Sequence, residues 1–258
     1  MVYCLKPACM TTKPGTALVF AGGETLYVNF ADRIDTAINR RVLDLFHALR
    51  ARSLPGIVDL VPSYRSLMIA FEPTIISDET LISAVQAALT AAQVPKPARR
   101  RVTIPVTYGG EYGPDLEDVA RATGLTPDDI IRLHSEASYD VYFLGFTPGF
   151  PFLGGMPPAL ATPRRATPRS RVAGGSVGIA GGQTGIYPVP SPGGWQLIGR
   201  TPLPLCDLRP DAMSAVVLAG GDIVQFRPLD GALFQDLVTQ SQGHVHHTEM
   251  EVIDEPSP

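Results

Sequence analysis

Glycine and proline are concentrated in one part of the chain, and this distribution limits the possible folds. Residues 145–200 contain 13 of the 25 glycines and 9 of the prolines. Both residues disfavour helices, proline because it lacks an N–H and glycine because its backbone loses the most entropy. The segments between them are short and strand-like, at 139–145, 176–180, 184–187, 195–201, 215–218 and 222–228. This spacing predicts a mainly β domain over residues 100–229, built as a closed antiparallel barrel.

Residues 16–95 have the pattern of a small α+β domain. Strands are predicted at 17–21 and 25–30, and a hairpin at 57–61 and 66–71. Ser77 is the predicted cap of a helix that carries Leu81, Val85 and Leu89. Another helix is predicted to end near Arg52, because apolar residues recur every three or four positions, at Ile34, Ile38, Val42, Leu45 and Leu49. These elements predict a sheet with helices over one face.

The segment between Pro95 and Arg101 is predicted to be a stiff linker between the domains. Its three consecutive arginines favour a linker exposed to solvent, and a patch that binds phosphate or a partner is the alternative interpretation. A strand at 102–108 and helices from 116 to 123 and from Pro127 follow, the second placing His134 in its last turn. Residues 1–15 are predicted to be an extension and residues 230–258 a polar, mobile tail.

Composition excludes several classes of protein. Hydrophobic residues make up 45% of the 258, so the chain can bury a core and is not disordered as a whole. The net charge of −4 disfavours nucleic-acid binding. Three cysteines without a C-x-x-C pair indicate neither a disulfide framework nor a zinc cluster. No secretory signal or membrane-spanning segment is recognised, so a cytoplasmic location and no membrane partner are expected.

One stretch of the chain lacks negative charge entirely. Residues 141–206 contain no Asp, Glu or Lys but five arginines, at positions 164, 165, 169, 171 and 200. Guanidinium groups without nearby carboxylates are satisfied by carbonyls, water or an anionic ligand. The stretch therefore predicts a rigid, positively charged cradle for a carboxylate or phosphate. Exposed loops or the acidic face of a partner are the alternatives, and Phe146, Phe150 and Phe152 fit a core or an interface.

Two familiar catalytic motifs are discounted. No P-loop is present, and the three lysines, at positions 6, 13 and 96, all precede the predicted barrel. Residues 174–178 match G-x-S-x-G, but the residues that follow are too rich in glycine for the helix that a nucleophile elbow requires. A serine hydrolase is therefore disfavoured. The cluster of His244, His246 and His247 is predicted to have no functional metal, and no other metal ligand set is recognised.

Four long motifs resemble the family of 5-oxoprolinase B subunits, also called KipI-like or allophanate hydrolase subunit 1. They are Leu-Gly-Phe-Thr-Pro-Gly-Phe-Pro-Phe-Leu-Gly-Gly at 144–155, Thr-Pro-Arg-Arg-Ala-Thr-Pro-Arg-Ser-Arg-Val at 162–172, Ile-Ala-Gly-Gly-Gln-Thr-Gly-Ile-Tyr-Pro at 179–188, and Ser-Pro-Gly-Gly-Trp-Gln-Leu-Ile-Gly-Arg-Thr-Pro at 191–202. The resemblance extends over about residues 16–229. It implies a cyclophilin-like barrel that follows the α+β domain.

The resemblance also implies an activity and a site. The resemblance implies that such a chain acts with an A subunit and a C subunit of homologous fold. The assembly opens 5-oxoproline to glutamate with hydrolysis of ATP, and a partner subunit contributes to binding the ATP. Arg169 and Arg171 are the predicted anion-stabilising residues, and His134 the predicted acid or base. The residues expected around the substrate are Gln183, Thr184, Tyr187, Gln196 and Arg200.

Two other functions stay open at this point. Some similar proteins are inhibitors that bind a sensor histidine kinase, in which case the glycine- and proline-rich surface is a protein interface. Others resemble a carboxyltransferase subunit of urea or allophanate metabolism, although this sequence has no biotin-carrier segment. The same barrel serves all three functions, so the sequence alone does not separate them.

Overall fold

The computed structural model describes residues 10–13, 16–90, 98–207, 216–241 and 250–253. Contacts divide the chain into two compact units, one before and one after the boundary between residues 97 and 98. Several predictions lie outside the described residues: those for Cys4, Cys9, the proline-rich start of the linker and the tail histidines. None of the helices among the described residues is long and apolar enough to cross a membrane.

The first unit is a five-stranded antiparallel sheet with two helices. The strand order is β1-β2-β3-β5-β4. Alternating residues of the inner strands are buried with apolar residues of both helices, among them Leu18, Val28, Ile69, Val42 and Val85. The elements are β1 (Met10–Lys13), β2 (Thr16–Ala21), β3 (Thr25–Asn29), α1 (Thr36–Arg52), β4 (Ile57–Pro62), β5 (Ser66–Phe71) and α2 (Asp78–Thr90).

Two predictions for this unit need correction. Helix α1 begins after Asp35, whose Oδ1 accepts a hydrogen bond of 2.8 Å from the amide of Ala37. Ile34 therefore precedes the helix and is 53% exposed, although its spacing suggested the apolar face. The prediction of an extension over residues 1–15 missed strand β1, which pairs with β2. A strand of four residues carries too little periodicity to be recognised locally.

The second unit is a closed seven-stranded barrel. Going round it, the strand order is β13-β10-β11-β8-β7-β14-β6, and β6 returns to β13. Its core is filled by Val102, Ile104, Val141, Ile179 and Val224 among others. The strands are β6 (Arg99–Tyr108), β7 (Ser138–Leu144), β8 (Pro151–Gly154), β10 (Ser176–Ala180), β11 (Gln183–Ile186), β13 (Gln196–Arg200) and β14 (Ile223–Pro228).

The prediction of an all-antiparallel barrel is wrong at one pair, because β14 runs parallel to β6 over six residues. No hairpin turn sets the relative direction of these two strands, because residues 109–222 separate them. Helices α3 (Leu116–Thr123) and α4 (Pro127–Glu136) connect β6 to β7. A separate two-stranded sheet pairs β9 (Arg169–Val172) with β12 (Ser191–Gly193). A 3₁₀ turn lies at Pro158–Leu160.

The predicted linker and tail also prove to be partly ordered. Helix α5 (Gly231–Ser241) and strand β15 (Met250–Ile253) lie where a mobile tail was expected, and β15 pairs with the start of β6. The three arginines of the predicted linker belong to β6. Arg99 is paired with Asp140, Arg100 with Asp222 and Arg101 with Glu251. Their partners are distant in sequence, so no local pattern indicates them.

A turn between β6 and α3 is tied closely to strand β13. The amide of Gly109 donates to the Ile198 carbonyl at 3.0 Å, and that of Asp115 donates to the Leu197 carbonyl at 2.9 Å. Gly113 lies so close that an added Cβ would overlap the backbone carbonyl of Ile198. Only glycine fits there, and the contact fixes Asp115 against the barrel wall.

Replacing Gly113 should therefore destabilise the fold. We expect Gly113→Ala to lower the free energy of unfolding by about 1–3 kcal/mol, because the methyl group forces the turn away from β13. Gly182→Ala is the matched control, since nothing lies within 4 Å of the Cβ position there. Urea denaturation of both variants measures the difference, and equal stabilities would contradict the close approach.

Candidate functional site

Asp115 is a buried carboxylate that holds two arginines of the acid-free stretch. It is 2% exposed, and its Oδ1 accepts hydrogen bonds from Arg165 at 2.9 Å and Arg169 at 2.7 Å. Its Oδ2 accepts from the amide of Leu197 at 2.7 Å. Asp115 precedes α3, where aspartate commonly caps the helix, but its side chain makes no capping bond. The carboxylate instead joins three distant segments of chain.

The cluster around Asp115 keeps unused hydrogen-bonding capacity. One carboxylate faces two guanidinium groups, so the pairing leaves one net positive charge. Within the described residues, Arg165 Nε and Arg169 Nη1 are buried nitrogens without a hydrogen-bond partner. Gln196 Oε1 is likewise a buried oxygen without a hydrogen-bond partner, although Nε2 of the same side chain donates to the Pro163 carbonyl at 3.1 Å. The two guanidinium groups therefore keep donor capacity that no acceptor among the described residues uses.

Aromatic side chains form the apolar side of this cluster. Tyr187, Trp195 and Phe150 are buried together, with Trp195 and Tyr187 each 5–6 Å from the Phe150 ring. Burial raises the pKa of Tyr187, while the nearby charges of Arg164 and Arg169 act in the opposite direction. Tyr187 is thus a neutral phenol close to the arginines at neutral pH.

A cavity lies at the other end of β13. Its volume is about 230 Å³, and it is lined by Gly174–Gly175, Pro188, Arg200, residues 201–204, and Phe234 and Val238 of α5. Arg200 donates from Nε to the Gly174 carbonyl at 2.9 Å, and its guanidinium carbon lies 5.7 Å from the centre of the Phe234 ring. No carboxylate pairs with Arg200 in the described part of the chain. The cavity thus combines one positive charge with mostly apolar walls.

His134 is in the barrel core rather than in a cavity. It is 0% exposed and stacks on Phe226 with ring centroids 4.4 Å apart. Its Nδ1 lies 2.8 Å from the hydroxyl of Tyr108 and its Nε2 lies 2.9 Å from that of Thr184. The Thr184 hydroxyl donates its single proton to the Gly178 carbonyl at 3.0 Å. Nε2 therefore donates to Thr184, and Nδ1 accepts from Tyr108.

Burial keeps this histidine neutral. Desolvation lowers the pKa of His134 from 6.5 to about 3, and it also raises the pKa of Tyr108 well above its usual value. These contacts favour a structural role for His134 and Thr184 in joining α4 to strands β6 and β11. The predicted role of His134 as acid or base stays a prediction that the observed contacts do not favour.

The predicted site residues therefore lie in separate places. Arg169, Tyr187 and Gln196 come together near Asp115. Arg200 lies four residues after Gln196 along β13, which is about 13 Å along the strand. Arg171 is exposed in β9, and Gln183 begins β11. The expected single cradle of guanidinium groups is wrong, since Arg165 and Arg169 are already held by a carboxylate outside the stretch.

Sequence reasoning missed two residues that define these places. Asp115 is 50 and 54 residues before its two arginines, so no local pattern connects them. Phe234 was assigned to the tail. The one available signal for it was the apolar spacing of Phe234 and Val238, which a helix of eleven residues places on one face.

No metal site is visible within the described ranges. No group of three or more His, Cys, Asp or Glu side chains there is arranged to hold a metal ion.

Comparisons with known proteins agree with the four sequence motifs. The family described as "Carboxyltransferase domain, subdomain C and D" matches residues 16–216. The 5-oxoprolinase B subunit of Bacillus subtilis (strain 168) is 42% identical over 216 residues, which are 80% of this chain and 89% of that protein. The chain belongs to the family of 5-oxoprolinase B subunits.

Solved structures carry the same fold within longer chains. The crystal structure of TTHA0988 is 40% identical with a TM-score of 0.71, and the match covers 80% of this chain but only 40% of that one. Kluyveromyces lactis urea carboxylase is 21% identical with a TM-score of 0.76, and the match covers 95% of this chain and 25% of that one. The second likeness concerns the fold alone.

The family match includes the whole Asp115 cluster but only part of the Arg200 cavity. Asp115, Arg169 and Arg200 fall within residues 16–216, whereas helix α5 with Phe234 lies beyond them. The residues of α5 that line the Arg200 cavity are therefore outside the region that the family match covers.

The buried state of His134 predicts a specific pH dependence. Above pH 6.5 the residue is neutral in both the folded and unfolded states. Below that value the unfolded chain gains a proton that the folded chain does not take until about pH 3. The stabilising contribution of His134 is therefore lost as pH falls, by up to about 1.4 kcal/mol per pH unit.

We expect the stability advantage of the wild type over His134→Gln to shrink by about 2 kcal/mol between pH 6.5 and 5, as measured by urea unfolding. NMR titration of the wild-type ring gives a reading that does not depend on the variant folding. The ring should stay neutral at pH 5, and protonation near pH 6.5 would contradict its burial.

Proposed function

We propose that this chain is the B subunit of an ATP-dependent 5-oxoprolinase, which opens 5-oxoproline to glutamate together with an A subunit and a C subunit. The observation that carries the proposal is the 42% identity to a 5-oxoprolinase B subunit over 89% of that protein's length. The proposal includes a cyclophilin-like barrel, which the seven closed strands support, and a cytoplasmic location.

We assign the carboxylate of the substrate to Arg200. 5-Oxoproline has one carboxylate on a small lactam ring, and the cavity offers one guanidinium between proline, leucine and phenylalanine side chains. Its volume of about 230 Å³ is below the ordinary range for drug-sized ligands and holds roughly eight waters. That size suits a ligand of this kind.

The same cavity does not fit a whole ATP molecule. A nucleoside triphosphate needs more room and several cationic groups, whereas the cavity has one arginine. The chain also lacks a P-loop. We therefore assign most of the ATP contacts to a partner subunit. This chain alone should be inactive, because it would hold the substrate without the nucleotide.

The Asp115 cluster has a supporting role in this proposal. Its net positive charge, from two guanidinium groups against one carboxylate, stabilises negative charge that a partner or a phosphorylated intermediate brings near β9. Arg169 keeps the anion-binding role predicted from the sequence, with Tyr187 and Gln196 beside it. Asp115 orients the two arginines.

A carboxyltransferase-like subunit is the second candidate. The family description names a carboxyltransferase domain, and the barrel has the fold of part of a urea carboxylase. The higher identity to a 5-oxoprolinase B subunit favours the first proposal.

Reconstitution with the partner subunits tests the function and the role of Arg200 together. Glutamate formation that depends on ATP and 5-oxoproline should be absent for the chain alone and present after mixing with the A and C subunits. In the mixture, Arg200→Gln should raise the KM for 5-oxoproline about 10- to 100-fold with a smaller change in kcat, because one charge-assisted hydrogen bond is lost.

Arg33→Gln is the control, since Arg33 is exposed in the first unit and pairs with no described residue. Turnover by the chain alone would contradict the shared site. An absence of turnover in the wild-type mixture would contradict the proposed reaction. An unchanged KM for Arg200→Gln would exclude Arg200 from binding the substrate.

A further inference from the structure

Phe234 is the one buried residue within the stretch 231–239 of helix α5. It is 3% exposed, whereas the other residues of this stretch are exposed or half-buried. Its ring centroid lies 4.3 Å from that of Tyr112, and the guanidinium of Arg200 lies over its face at 5.7 Å. Burial of a phenylalanine ring removes a large apolar surface from water. Phe234 therefore fixes α5 against the turn that follows β6 and against the end of β13.

Hydrogen bonds to strand β6 hold the chain just before α5. The amide of Leu229 donates to the Val106 carbonyl at 2.9 Å, and the hydroxyl of Thr107 donates to the Leu229 carbonyl at 3.2 Å. Leu229 is two residues before the helix begins. The position of Phe234, one turn into the helix, is thus set by the barrel wall.

The ring of Phe234 holds Arg200 without using its hydrogen-bond donors. Arg200 Nε donates to the Gly174 carbonyl at 2.9 Å, and its two Nη groups have no hydrogen-bond partner among the described residues. A cation over an aromatic face keeps its charge and its N–H groups, whereas Arg169 is paired with the carboxylate of Asp115. The Nη groups of Arg200 therefore stay available, in the fork geometry that fits one carboxylate.

The rest of the cavity wall brings no charge to match a second ionic group. Its apolar surface comes from Pro188, Pro202, Leu203, Pro204 and Phe234. None of the described lining residues is acidic, so an ammonium group would lack a carboxylate there. A second carboxylate would lack a second cation. Because charges that leave water without a partner are bound unfavourably, the wall favours a ligand with a single negative charge.

We propose that Phe234 is a positioning residue that holds Arg200 for the carboxylate of a small ring-closed acid and so makes the cavity selective against glutamate. Arg200 pairs with that carboxylate through its two Nη groups, and the apolar walls contact the ring. Glutamate carries an ammonium group and two carboxylates, which this cavity cannot match. The naming of 5-oxoproline as the ring acid and of glutamate as the released product rests on the proposed function, whereas the class of ligand rests on the cavity.

Titration of the purified full chain with small acids, followed by NMR, tests the class of ligand. Cyclopentanecarboxylate has the carboxylate and a five-membered ring but no lactam, and its Kd should be within about fivefold of that of 5-oxoproline. Glutamate should bind at least about 10-fold more weakly than 5-oxoproline, because its additional charges find no partner. Failure of both ring acids to bind, or equal affinity for glutamate and 5-oxoproline, would overturn the proposal.

Replacing Phe234 by leucine tests the positioning role. Phe234→Leu keeps an apolar side chain but removes the aromatic face, so the Kd for 5-oxoproline should be weakened about 5- to 10-fold. Phe30→Leu is the matched control, since Phe30 is 2% exposed and the Arg41 guanidinium lies 5.0 Å from its ring centre in the first unit. The control loses the same kind of contact, and its Kd should equal that of the wild type.

A double-mutant cycle separates positioning from a general loosening of α5. In the Arg200→Gln background, Phe234→Leu should weaken binding by less than about twofold, because the group that it positions is absent. An equal loss in both backgrounds would contradict the proposal, as would a wild-type Kd for Phe234→Leu. Selective binding without glutamate formation in the mixture with the A and C subunits would instead contradict the proposed reaction and leave the role of Phe234 supported.

Discussion

The hydrogen bonds between the buried carboxylate of Asp115 and two arginines hold together the loops that form the candidate site in the second unit. One side chain, 2% exposed, connects the start of α3, the loop that contains Arg165, the beginning of β9 and the wall strand β13. A buried charge is tolerated only when it is paired and hydrogen-bonded, and Asp115 meets both conditions. The loops around it are therefore fixed by an interaction that none of them contains alone.

This pairing explains why the arginines of the acid-free stretch lie at two separate places and do not form one cluster. Arg165 and Arg169 point to Asp115 and retain one net charge, while Arg200 reaches the cavity at the other end of β13. The first place has unused buried donors, and the second has a cavity of about 230 Å³. Phe146 meets Phe150 edge to face, and Phe150 meets Trp195 in the same way.

The sequence predicted the parts of the fold that depend on local periodicity or capping. The N-terminal sheet, both of its helices, α4 and strand β10 agree with the structure. Direction and distant pairing were not predictable, because a strand pattern does not show that β14 runs parallel to β6. The short strands β1 and β15 gain their order from a neighbouring strand, which a local pattern does not reveal.

The candidate site shows the same limit at the level of single residues. The four motifs identified the family and led to Arg169, Tyr187, Gln196 and Arg200, all of which lie at one of the two places. They also led to His134, whose burial only the packing of α4 on Phe226 reveals. An excess of arginine within one segment indicated unpaired charge, but the balancing carboxylate comes from outside that segment.

The stability of Asp115→Asn tests the central claim most directly. Because the substitution leaves two partly buried guanidinium groups without their carboxylate, the free energy of unfolding should fall by about 3–5 kcal/mol in urea denaturation. Asp118→Asn removes an exposed pairing with Arg121 on α3 and should change it by less than about 1 kcal/mol. Similar small losses for the two variants would contradict the account, since Asp115 would then not hold these loops together.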